Sequence, residues 1–188
     1  MASKLPVIST KRGDKGETSL WSGERVRKNH PSIKCLSEID LMDSFLGIIK
    51  SKISLETEDV NTPVRKWIDS IQSDLVFIKG EIATSPENWD KYGCKYDRVS
   101  KESVSKIESF CDKIREVLEH NNYSISGWVK YGDGSTISAE IDVCRAYCRQ
   151  SEVAIYDLED FYEIEVSESI KEYLNRMSDF LYLMARIF

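Results

Sequence analysis

Apolar side chains recur at helical spacing through most of the chain, and polar stretches between them mark where helices stop. The first stripe runs Leu36, Ile39, Met42, Phe45, Leu46, Ile49 and Ile53, with Asp40 and Asp43 close to its apolar side. Ser32, in the turn Asn29-His30-Pro31-Ser32, is the expected N-cap. A second helix is expected from Thr62-Pro63, since proline suits a first turn, burying Val64, Trp67, Ile68, Ile71, Leu75, Ile78 and Ile82. Ser85 to Gly93 reads as a polar, irregular connection. The third helix is expected from Arg98 to His120, with Val104, Ile107, Phe110, Cys111, Ile114, Val117 and Leu118 inward. A loop follows to Ser135, then a fourth helix from Thr136 to Asp157 and a fifth from Ser167 to Ile187. Only short pieces flanking the first glycine turn read as strand. Five long helices with moderate connections predict an all-α antiparallel five-helix bundle over residues 31–188, preceded by an extended segment at 1–30.

Composition narrows the classes. At 188 residues, 41% hydrophobic and 31% charged, the chain suits one globular domain. A pI near 5.1 argues against general nucleic-acid binding. Five cysteines form no disulfide pattern, and two histidines supply a zinc site poorly, so no metal-ligating residue is assigned. No apolar run approaches a membrane span. The opening Met1-Ala2-Ser3-Lys4-Leu5-Pro6 has neither a secretory core nor an arginine-rich presequence, so the expected compartment is the cytoplasm, or an organelle if a presequence has been removed.

Charge changes the picture at one place. Between Ile8 and Lys28, Lys11, Arg12, Lys15, Arg25, Arg27 and Lys28 face only Asp14, Glu17 and Glu24, a local charge of +3 in a chain of −6. Gly13 and Gly16 bracket a turn there. Glycines let backbone approach a ligand, and successive turn amides form a concavity suited to phosphate oxygens. The segment therefore reads as an anion site, with a polyphosphate as the natural ligand. Its spacing does not fit the Gly-Lys-Ser/Thr phosphate loop. The plainer alternative is a turn that simply joins two strands.

On the fourth helix, Arg145, Arg149 and Glu152 lie at i, i+4 and i+7, along one stripe. Taken alone, the stripe fits a solvated face with internal ion pairs. Four segments together, however, resemble one family, the PduO-type ATP:cob(I)alamin adenosyltransferases. Thr10-Lys11-Arg12-Gly13-Asp14-Lys15-Gly16-Glu17-Thr18-Ser19-Leu20 resembles its nucleotide-binding opening. Ile39-Asp40 through Asp43-Ser44-Phe45-Leu46-Gly47 is similar to its first-helix motif. Arg145, Cys148, Arg149 and Glu152 match the family's Arg-x-x-Cys-Arg-Arg-x-Glu-Arg run. Tyr173-Leu174-Asn175-Arg176-Met177-Ser178-Asp179 is similar to the fifth-helix motif.

The resemblance implies a ferritin-like helical bundle assembled as a homotrimer, with active sites between subunits. It implies ATP, with Mg²⁺, as one substrate and cob(I)alamin as the other. Thr10, Lys11, Arg12 and Gly13 would cradle the triphosphate, with Thr18, Ser19 and Lys28 beside them. Arg149, Glu152 and Asn175 would complete the nucleotide site, and Asp40 and Arg145 would pair across the interface. Reduced cobalt attacks the ribose 5′-carbon, so no protein nucleophile is needed. The residues assigned to catalysis are Arg149, Asp40, Arg145 and Glu152. Implied partners are a reductase and a cobalamin-dependent enzyme; neither nucleic acid nor membrane is expected.

Departures from the pattern are local. Gln150 and Val153 replace arginines, and Gly132-Asp133-Gly134, with Lys130 and Tyr131, replaces a proline-glycine loop with apolar neighbours. The residue expected to displace cobalamin's lower ligand is Trp128 or Val129. Two other readings stand beside the enzyme: a non-catalytic carrier or sensor of ATP or a corrinoid, and a plain helical interaction domain.

Overall fold

A computed structural model of the chain describes residues 9, 11–53, 61–124, 127–132 and 134–188, apart from the side chains of 61 and 62. Five long helices carry the fold: α1 (Pro31–Lys52), α2 (Asn61–Ile82), α4 (Lys101–His120), α5 (Thr136–Tyr162) and α6 (Glu168–Met184); α3 (Trp89–Gly93) is a single short turn. Strands β1 (Glu17–Ser19) and β2 (Arg25–Arg27) form a small antiparallel hairpin before the bundle.

The stripes predicted from spacing are the buried faces. Ile39, Met42, Leu46, Ile49, Ile68, Ile71, Leu75, Ile78, Ile107, Ile114, Ile155 and Leu174 are essentially inaccessible. Helix α1 packs chiefly on α5 and α2, while α6 lies against α5 and α4. Trp67, Phe110 and Phe180 meet at 5.2–6.3 Å between ring centroids, joining α2, α4 and α6. Each aromatic pair adds about 0.5–1.5 kcal/mol beyond its burial.

Two polar groupings inside the bundle join separate elements. Tyr173 on α6 donates its hydroxyl to Asp74 on α2 at 3.0 Å, and Lys106 on α4 reaches the same oxygen at 3.1 Å. Burial, and then the neighbouring Asp74, hold the Tyr173 phenol well above its ordinary range. Glu81, 2% exposed, takes Arg98 at 2.7 Å. A buried charge left alone would cost far more than these pairs return; the first group ties α2, α4 and α6 together, and the second ties α2 to the segment that leads into α4.

The boundaries differ from the pattern-based ones for local reasons. Helix α1 begins at Pro31, and its cap is His30, whose Nδ1 accepts from the Ser32 amide at 3.2 Å; Ser32 itself is buried in the first turn. Helix α5 runs past Asp157 to Tyr162 because Leu158 continues the buried stripe, and it stops where Glu163 enters the left-handed region at φ 53°. The stretch from Ser85 to Gly93 is helical rather than irregular: a 3₁₀ turn (Pro86–Asn88) leads into α3. Its stability comes from outside the segment. Trp89 Nε1 donates to the Thr84 carbonyl at 3.1 Å, and Tyr92 is 3% exposed against α2.

Candidate functional site

The hairpin arm is fixed to the end of the bundle where α2 stops. Leu20 and Val26 are buried, the Trp21 amide donates to the Ala83 carbonyl at 2.7 Å, and the Trp21 ring meets Tyr92 and Tyr96 edge-on at 5.1 and 5.6 Å. The connection between β1 and β2 is Leu20–Glu24, with Gly23 at φ 90°. The Gly13–Gly16 turn therefore precedes the hairpin and does not join its strands.

Within this arm Gly13, Gly16 and Lys28 come together, and of the described residues assigned to the triphosphate only Lys28 lines the adjoining recess. The Gly16 amide donates to the Gly13 carbonyl at 3.1 Å, and the Lys28 amide to the Gly16 carbonyl at 2.9 Å. A β-carbon on Gly13 would stand 3.3 Å from the Lys28 ammonium, so the missing side chain lets that cation lie over the turn. Gly16 takes φ 81°, and Lys11 takes φ 58°, a conformation unusual for a residue with a side chain. Arg25 ties the layer together, donating to the Arg12 carbonyl at 3.0 Å, the Ser19 hydroxyl at 3.3 Å and Glu17 at 3.3 Å. Thr18 pairs with Val26 in the ladder. A recess of about 370 Å³ opens beside the turn, lined by Lys15, Gly16, Glu17, Arg27, Lys28 and Asn29. Three cations against one carboxylate suit a polyanion. Thr10 lies outside the described residues.

The helical half lies elsewhere. Asn175 on α6 donates to Glu152 on α5 at 3.2 Å, and Arg176 donates to the Asn175 side-chain oxygen Oδ1 at 2.9 Å, so two motifs read separately in the sequence form one surface group. Arg149 and Gln150 are exposed, and Val153 is 60% exposed. A cavity of about 540 Å³ is bordered by Tyr131, Gly132, Asp142, Arg145 and Arg149. Beyond the loop, a second cavity of about 430 Å³ is bordered by Trp128, Val129, Lys130, Ser138 and Arg186; Trp128 projects fully into solvent and Val129 is half-buried.

Two groupings are not made inside one chain. Asp40 pairs with Lys79 at 3.0 Å, and Lys79 also takes Asp43 at 2.9 Å, while Arg145 lies over the Tyr182 ring at 5.3 Å. Burial alone would lower the Lys79 pKa, but Asp43 and Asp40 outweigh it and the net direction is upward. The arm is also anchored beside a different stretch of α5 from the helical group. It is held where α2 passes Leu158, nine residues beyond Arg149, or roughly 14 Å along a helix axis.

Sequence reasoning missed Asp142, Tyr182 and Arg186. Arg186 pairs with Asp142 at 2.6 Å with both side chains at most 5% exposed, and its guanidinium also lies 5.3 Å from the Tyr182 ring. Asp142 stands three residues before Arg145, a spacing that could have signalled it. Arg186 offered no such signal, because its partner is 44 residues away. Among the described residues no group of three or more His, Cys, Asp or Glu gathers to hold a metal ion, and no helix is long and apolar enough to cross a membrane.

A family profile described as cobalamin adenosyltransferase matches residues 8–188. A cobalamin adenosyltransferase of Cupriavidus metallidurans is 28% identical, covering 100% of this chain and 90% of its own length. The corrinoid adenosyltransferase PduO of Salmonella typhimurium is 26% identical over 96% of this chain, which spans about half (49%) of that protein. The human corrinoid adenosyltransferase MMAB is 27% identical over 97% of this chain and 69% of its own. A PduO-type ATP:corrinoid adenosyltransferase variant from Lactobacillus reuteri, solved with cobalamin and ATP, superposes with a TM-score of 0.81 at 24% identity, covering 96% of this chain and 89% of that one.

Proposed function

The chain belongs to the cobalamin adenosyltransferase family, and from that premise we propose how its residues divide the work of adenosyl transfer. The reaction moves the adenosyl group of ATP to a reduced corrinoid: cobalt attacks the ribose 5′-carbon, the carbon–oxygen bond breaks, and triphosphate leaves with the electron pair. Both reactive partners are substrates, so the protein's task is alignment and charge neutralisation.

The arm receives the triphosphate. Lys11, Arg12, Gly13 and Lys28 form its cradle, with Thr10, Thr18 and Ser19 beside them, and Lys15 and Arg27 extend the cationic wall. Arg149, with Glu152 and Asn175, supplies the second half of the nucleotide site from another subunit. Magnesium, if supplied with the nucleotide, would add to the neutralisation of the triphosphate charge that these cations begin. Trp128 and Val129 border the corrinoid side.

The observation that carries this reading is the separation of the two cationic groups in one chain, each with its own recess, although both belong to the matched family span. A homotrimer reconciles them, and Asp40 then exchanges Lys79 for Arg145 of a neighbouring copy. Exposed Leu41 and Ile48 on α1, with Val143 and Val153 on α5, give that contact an apolar component.

The test is incubation with ATP, Mg²⁺ and chemically reduced cobalamin, followed by absorbance. Appearance of a cobalt–carbon product supports adenosyl transfer. ATP binding without product would make the chain a carrier of its ligands instead.

A further inference from the structure

The pair Asp142–Arg186 is an expensive feature on stability grounds. Both side chains are at most 5% exposed, and Asp142 Oδ2, Arg186 Nε and Arg145 Nε are enclosed without a hydrogen-bond partner. Burying two ions with part of their hydrogen-bonding capacity unused costs more than an apolar pair of the same volume. Its location suggests what it is for. Asp142 borders the cavity that carries Arg145 and Arg149, whereas Arg186 borders the one that carries Trp128 and Val129, so the pair spans the wall between them. Tyr182 links the pair to the site. Its ring has the Arg186 guanidinium at 5.3 Å from its centroid and the Arg145 guanidinium at the same distance.

We propose that Asp142, Arg186 and Tyr182 are a positioning unit for Arg145, holding its guanidinium on the wall of the cavity it shares with Arg149. Arg145 has no carboxylate partner within its own chain among the described contacts; what locates it is the aromatic face. A long arginine side chain left free would spread over many rotamers and lose that freedom on engaging a ligand or a neighbouring carboxylate. Tyr182 removes the spread in advance. Asp142 offsets the charge of Arg186, which lets two guanidiniums share one ring without net repulsion from an uncompensated pair of cations. The inference rests on the adenosyltransferase reading and adds three residues to it.

Turnover with ATP and reduced cobalamin, together with melting curves, tests it. Tyr182→Leu should raise KM for ATP about tenfold, and Tyr182→Phe, which keeps the ring, should restore the wild-type value. In an Arg145→Ala background the same Tyr182→Leu change should have no further effect, because its route to the substrate is gone. The paired replacement Asp142→Leu with Arg186→Met should leave the melting temperature equal or higher while raising KM. Additive effects of Tyr182→Leu and Arg145→Ala would overturn the inference. So would an unchanged KM in the paired replacement, or losses of turnover that merely follow the melting temperature. Absence of turnover in the wild-type protein would instead overturn the adenosyltransferase reading, and is seen before any variant is made.

Discussion

Gly80 is the one glycine on α2, and the room it leaves is occupied. A β-carbon built there would stand 2.0 Å from the Tyr92 hydroxyl oxygen and 2.7 Å from its Cζ, well inside contact distance. Gly80→Ala should therefore destabilise the protein, although alanine is the better helix former. The helical gain is about 1 kcal/mol. Against it stands overpacking of about 1–3 kcal/mol. If Tyr92 is expelled, its edge contact with Trp21 at 5.1 Å and its stack with Tyr96 at 5.1 Å are lost as well. Such contacts contribute about 0.5–1.5 kcal/mol each, so with both losses set against the helical gain the net effect is about 1–5 kcal/mol of destabilisation. For a chain of this size that corresponds to a fall of roughly 2–20 °C in melting temperature.

The assay is a double-mutant cycle by thermal melting, with Tyr92→Ala as the second change. Without the ring there is nothing to strike, so Gly80→Ala should raise the melting temperature in that background, reversing its sign. Because Trp21 anchors the arm on Tyr92, ATP affinity should fall in all three variants, including the more stable double one. Equal destabilisation by Gly80→Ala in both backgrounds would refute the clash. Undiminished ATP affinity in Tyr92→Ala would refute the anchoring of the arm.

Asp40→Ala should weaken activity and assembly together; sedimentation showing a monomer at every concentration, with ATP present, would sink the shared site. Gln150→Arg adds a cation beside Arg149, so on the proposed reading ATP binding should tighten and become more salt-dependent; affinity indifferent to ionic strength would place residue 150 away from the nucleotide. In the native fold only Cys94 of the five cysteines should react promptly with a thiol reagent, since the other four are buried. Burial first, then Glu38 and Asp157, push the Cys35 thiol up to about 12, and burial pushes Cys111 up to about 11. A raised acid stabilises the fold fully below its unfolded value near 9.0 and loses that contribution as pH climbs through the folded one, so melting temperature should decline between about pH 9 and 12, less steeply in Cys35→Ala.

The bundle was legible because burial along a helix repeats every three to four residues, and that period survives in any sequence that packs one face. What escaped was structure held by distant contacts. Nothing in Trp89–Gly93 announces a helix; Tyr92 makes it one by docking on Gly80 and Trp21. Likewise α5 ends on Glu163 in a conformation that glycine would have advertised and glutamate does not. The Asp142–Arg186 pair is invisible for the same reason, since neither residue marks the other across 44 positions.

The candidate site divides along a similar line. Its local parts could be read from neighbours in the chain: the basic glycine turn, the Arg145/Arg149/Glu152 stripe, the motif around Asn175. Joining Glu152 to Asn175 required α5 and α6 to pack, which the fold supplies. Joining the arm to Arg149 requires something else, because the Trp21–Ala83 hydrogen bond ties the arm beside Leu158, roughly 14 Å along α5 from Arg149. A hairpin with two buried side chains and an aromatic clamp is not a loose tether that could swing back along α5. On the proposed reading a second copy supplies the other half of the site, and subunit mixing tests that directly. Arg149→Ala and Lys28→Ala chains, each inactive alone, should regain part of the activity when co-assembled, since some sites then draw an intact arm from one chain and an intact α5 from the other. No recovery in a demonstrably mixed oligomer would mean that each site is built within a single chain.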